Sequence, residues 1–82
     1  MDPISLRTLI RQKLADGRLP QNSIPRIYGG PSNGETCDAC NEVVAKNQFV
    51  MEGVSTDLTK RALQFHVGCF YVWDSERTAP GR

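Results

Sequence analysis

Thr36-Cys37-Asp38-Ala39-Cys40-Asn41 and Phe65-His66-Val67-Gly68-Cys69-Phe70 contain every cysteine and the only histidine of this 82-residue chain. Each stretch offers two soft or borderline ligands separated by two residues, a spacing from which a tight knuckle or one helical turn can bring both to a single ion. Asn41 stands where the first pair must turn back sharply, and asparagine tolerates left-handed backbone better than most residues. His66 and Cys69 lie three apart and converge if His66 begins a helix, whose N-terminal amides would also favour a thiolate at Cys69. Structural zinc takes four such ligands at tetrahedral corners, so Cys37, Cys40, His66 and Cys69 are the expected ligands of one Zn2+.

Other chemistries account for less of the pattern. A redox Cys37–Cys40 pair would leave His66 and Cys69 unexplained and lacks a βαβ context. Most iron–sulfur clusters ask for four thiolates. A catalytic zinc keeps one position open for water, whereas four protein ligands close the sphere, and a nuclease would need further histidines. Glu35, Glu52 and Asp57 are available carboxylates, but none has a second carboxylate or nucleophile at a telling spacing. No enzymatic activity is expected.

Eighty-two residues make one small domain, which buries too little apolar surface to be comfortably stable without a staple such as a metal. Hydrophobic residues at 39% and charged residues at 23% are ordinary for a globular chain. No apolar run approaches the roughly 20 residues of a spanning helix. The N-terminal pattern, interrupted by Arg7, Arg11 and Lys13, is unlike a secretory signal, and a cytoplasmic protein is expected. The net charge of +1 is unevenly spread: residues 1–34 carry five basic and two acidic side chains, residues 35–82 five basic and seven acidic.

Working outward from the ligand pairs, Gln48 to Val54 and Leu63 to His66 are rich in strand formers and predict a two-stranded hairpin turning through Ser55, Thr56 and Asp57. Phe70 and Trp73 repeat at helical spacing among Asp74, Glu76 and Arg77, predicting a helix from Val67 to Arg77 followed by a frayed Thr78 to Arg82. At the other end, Asp2 can cap, Pro3 suits a first helical position, and Leu6, Leu9, Ile10 and Leu14 share one stripe. A helix over residues 3–16 follows, ended by Gly17 with Leu19 and Pro20 behind it. The stripe packs either within the molecule or across a dimer. Between these parts, Pro20, Pro25, Pro31, Gly29, Gly30 and Gly34 predict an irregular connection pinned by Ile24, Ile27 and Tyr28. Gly29 and Gly34 have the glycine spacing of a phosphate loop. Glu35 and Thr36 follow where the phosphate-neutralising lysine would begin, which excludes that reading.

The predicted order of knuckle, hairpin and ligand-bearing helix is that of a treble-clef zinc finger. Residues 36–70, through Cys37-x-x-Cys40 and Phe65-His66-x-x-Cys69-Phe70, resemble the first zinc module of LIM domains. The likeness stops at Val72, where a LIM domain carries a further cysteine, so a second zinc module is not implied. The whole chain also resembles a group of small bacterial proteins of unassigned function. Their pattern of N-terminal helix, Gly-x-Leu-Pro step (Gly17 to Pro20), Gly-Gly turn, cysteine pair, His66, Cys69, Trp73 and Glu76-Arg77 matches this sequence.

A small α+β zinc-stapled domain is therefore expected: an N-terminal helix (1–17), an irregular connection (18–35) packed on the core, and a treble-clef module (36–78). Its expected role is non-enzymatic binding of another protein. Arg7, Arg11, Arg18, Tyr71 and Trp73 form the candidate interaction surface; of Phe49, Met51, Phe70, Tyr71 and Trp73, most are expected in the core, with Tyr71 or Trp73 partly exposed. Two alternatives follow from the same residues: a nucleic-acid-binding regulator using the basic N-terminal helix, and a thiol or zinc sensor.

Overall fold

A computed structural model describes residues 2–56 and 60–79, so Asp57 in the hairpin turn and the tail from residue 80 onward lie outside the described residues. Helix α1 spans Pro3–Ala15. Asp2 caps it as expected, its Oδ1 accepting the Ser5 N–H at 2.9 Å, and Pro3 occupies the first turn where its missing N–H costs nothing. Gly17 takes φ +83°, and the chain reverses so that Leu19 N–H donates to the Lys13 carbonyl at 3.0 Å. Leu19 is thereby buried beneath the helix.

The intervening segment is more regular than its composition suggests. Ile27–Pro31 forms β1, antiparallel to β2 (Phe49–Val54), which pairs in turn with β3 (Ala62–His66). The sheet thus has three strands in the order β1-β2-β3, correcting the two-stranded hairpin. Gly29, Gly30 and Pro31 are poor strand formers, but pairing opposite Met51, Val50 and Phe49 overrides their weak propensity. Pro31 is tolerated because it ends an edge strand. Of the three expected pins, Ile24 is buried and Ile27 partly so, whereas Tyr28 is 67% exposed. Register explains the difference: Tyr28, Glu52 and Gln64 form one cross-strand row on the outer face.

Strand β3 runs directly into α2 (Val67–Arg77), whose bounds match the sequence expectation. The two helices pack on one another, and Ile10 and Leu14 of α1 join Leu63, Phe65 and Trp73 in one core. Phe65 and Trp73 stack at 5.4 Å, with Phe70 edge-on to Phe65 at 5.9 Å. Trp73 is 0% exposed, and its Nε1–H donates to the Pro20 carbonyl at 3.0 Å. Its assignment to an interaction surface is therefore corrected: docking of α1 and the Leu19-Pro20 step closes over it. Phe49 errs the other way, being exposed near the sheet margin, while Met51 and Phe70 pack partly buried against the core. No helix among the described residues is long and apolar enough to cross a membrane.

Candidate metal centre

The first cysteine pair sits in a miniature hairpin. Thr36 and Val43 form a β-bridge, Val44 N–H donates to the Glu35 carbonyl, and Cys37 N–H donates to the Glu42 carbonyl at 2.8 Å. Asn41 has φ 69°, the left-handed turn its position demanded, and its N–H returns to the Cys37 carbonyl. Before the hairpin, the buried Ser32 hydroxyl donates to the Val44 carbonyl at 2.7 Å. Glu35 folds back to accept the Asn33 N–H, which holds its carboxyl below the usual range, and Gly34 turns at φ +94°. The glycines and Glu35 thus build the entry to the knuckle.

Asp38 locks that knuckle to β3: its N–H donates to the Gln64 carbonyl at 2.7 Å, and its Oδ2 accepts the Gln64 N–H at 2.8 Å. Two residues on, His66 leaves the strand and begins α2, which carries Cys69 in its first turn. The four expected ligand atoms consequently meet, all within 4.8 Å of one another. His66 Nδ1 lies 3.4 Å from Cys40 Sγ and 3.8 Å from Cys69 Sγ. A tetrahedral ion with bonds of about 2.3 Å to sulfur and 2.0–2.1 Å to nitrogen sets a sulfur–nitrogen edge of about 3.6 Å, which these separations straddle. Residues from the knuckle, a strand end and a helix start therefore form a Cys3His group positioned for one metal ion.

Charge within the group is unevenly hosted. The Cys69 thiol donates to Cys37 Sγ, and the N–H groups of Cys40, His66 and Ala39 point at the same sulfur, so the Cys37 thiol is drawn down to about 4 against the cost of its burial. Cys69, as the donor, is pushed up, with burial and the neighbouring sulfurs adding; burial also pushes Cys40 up. All three cysteines are buried, and His66 partly so.

Lys13 carried no signal beyond interrupting an apolar stripe, yet it is only 3% exposed. Its Nζ donates to the Asp38 carbonyl at 2.8 Å and to Asn41 Oδ1 at 2.6 Å, on either side of Cys40. Burial pulls its ammonium down, with Arg18 adding, while Cys37, Asp38 and Cys40 favour the charged form. A lysine on the buried side of an amphipathic helix was the available clue; its target could not be read from the pattern.

The arginines singled out beforehand are engaged elsewhere. Arg11 Nε meets Glu76 Oε1 at 2.6 Å and Arg7 Nη1 lies 3.7 Å from Glu76 Oε2, joining α1 to a carboxylate that is 3% exposed. Arg18 bonds the side chain of Asp16 at 2.8 Å. Tyr71 is 62% exposed on α2. Comparisons with protein-family models, curated proteins and solved structures give no match.

Proposed function

We propose that this chain is a non-enzymatic zinc protein, in which one structural ion holds a treble-clef finger and the folded surface binds another protein. The observation that carries the reading is the convergence of Cys37, Cys40, His66 and Cys69 within 4.8 Å, supplied by a knuckle and by a strand–helix junction 26 residues further along the chain. Three sulfurs and an imidazole suit zinc, and four protein ligands fill its tetrahedral sphere, which supports a structural ion over a catalytic one. The sequence of knuckle, sheet strands and ligand-bearing helix supports the treble-clef reading and the resemblance to the first LIM zinc module.

Two features support the interaction role. The outer sheet face carries exposed Tyr28 and Val54 around an open groove of about 420 Å³, which is lined also by Arg26, Glu52, Ala62 and Gln64. Tyr71 offers a second exposed aromatic on α2. The nucleic-acid reading draws less support, because Arg7 and Arg11 converge on Glu76 and Arg18 on Asp16.

The decisive measurement is native mass spectrometry with circular dichroism on the purified chain. One zinc per molecule is expected, with cooperative loss of structure on stoichiometric chelation, since binding free energy in such sites is folding free energy. A chain that keeps its dichroism after complete zinc removal would refute the structural role.

A further inference from the structure

A lysine in the interior needs a reason. An ammonium is costly to bury unless it is paired and hydrogen-bonded, and an apolar residue at position 13 would extend the Ile10-Leu14 face without that cost. Both acceptors of Lys13 Nζ belong to the cysteine knuckle: the carbonyl of Asp38, between the two cysteines, and the side chain of Asn41, directly after Cys40. Three thiolates and a neutral imidazole leave a divalent ion with one net negative charge, and one ammonium balances it. Groups bonded just outside a coordination shell orient the ligands and tune the ion, and their loss typically weakens metal affinity about 10–100-fold.

We propose that Lys13 is the outer-sphere cation of the metal centre, a positioning residue that clamps the Cys37–Cys40 knuckle and balances the net charge of a Cys3His-bound divalent ion. It rests on the reading of these four residues as ligands of one such ion. Since Lys13 belongs to α1 and its acceptors to the knuckle, retention of the ion and docking of the N-terminal helix become one coupled equilibrium. The helix is thereby part of the metal site although it contributes no ligand.

The test uses the full chain loaded with Co2+ as a spectroscopic stand-in and with Zn2+ for affinity by chelator competition. Lys13→Met keeps much of the side-chain volume and removes the charge. It is expected to weaken Zn2+ binding about 10–100-fold and to move the sulfur-to-cobalt charge-transfer band to lower energy, because the thiolates lose a nearby cation, with the tetrahedral d–d bands retained. Asn41→Gly keeps the left-handed turn and deletes one acceptor while leaving the charge; it is expected to weaken binding by less and to leave the band in place. If Lys13→Met does not fold without metal, the band is read at saturating Co2+, where the complex is populated. Unchanged affinity, or a weakened complex with an unmoved band, overturns the charge-balancing role. Failure of the unsubstituted chain to bind one ion would instead overturn the underlying ligand assignment.

Discussion

At the scale of single residues, side chains of the same type do different work according to their surroundings. Trp73 and Tyr71 are two positions apart on one helix, yet one is sealed under α1 and the other is largely solvent-exposed. The glycines divide in the same way. A Cβ at Gly53 would sit 2.5 Å from Ile24 Cγ2 and 2.8 Å from the Arg26 carbonyl, so β2 needs a residue without a side chain there. At Gly30 nothing lies within 4 Å and the backbone is ordinary. Gly53→Ala is therefore expected to destabilise the metal-loaded protein by about 1–3 kcal/mol. Gly30→Ala should be neutral or stabilise by up to about 1 kcal/mol through the unfolded chain. Urea unfolding of the two variants checks the order, and a reversal would contradict the packing described for β1 and β2.

Among elements, local signals identify the helices and non-local ones assemble them. Asp2, Pro3 and Gly17 bound α1, and the Phe70–Trp73 spacing with its polar partners marks α2, because caps and periodicity act within a few residues. What joins the helices is the Ile10–Leu14 stripe against the Phe65–Trp73 core, and Glu76 beneath Arg11 and Arg7. Glu76 is buried while both arginines are half exposed, so the carboxylate is the more sensitive partner. Glu76→Gln, which keeps shape and removes charge, is expected to lower the melting temperature by about 4–8 °C. Arg7→Ala, at the longer 3.7 Å contact, should lower it less. An equal effect from both would show that Arg7, and not Arg11, anchors the helix. Strand β1 illustrates the reverse case. Its residues read as turn formers, and only the backbone of β2 makes them a strand.

Across the whole molecule, the metal group and the outer sheet face lie apart, joined through β3. That strand sends Gln64 to Asp38 of the knuckle, ends in His66, and lines the groove with Ala62 and Gln64. An ion held by the Cys3His group would thus support the proposed binding face through β3 without touching it. Replacing Tyr28 and Val54 together by serine removes apolar surface that supports no core. The melting temperature should change little, since exposed substitutions typically shift stability by less than about 0.5 kcal/mol. Zinc stoichiometry should likewise be unchanged. The partner recovered with the unsubstituted protein from its native host should be lost, and a partner retained undiminished by the double variant would move the interface off this face.

The sequence by itself determined the four Cys and His residues that converge, and both helices, because a two-residue gap, a cap and a helical repeat are properties of neighbours along the chain. It also placed the left-handed turn at Asn41, where a knuckle must reverse and few side chains comply. Only the tertiary structure decided the rest. The third strand, the burial of Trp73, the exposure of Tyr28, the pairing of Arg11 with Glu76 and the reach of Lys13 into the knuckle all depend on which surfaces meet. Burial and pairing are set by partners distant in sequence, and the free energy of bringing those partners together belongs to no single segment.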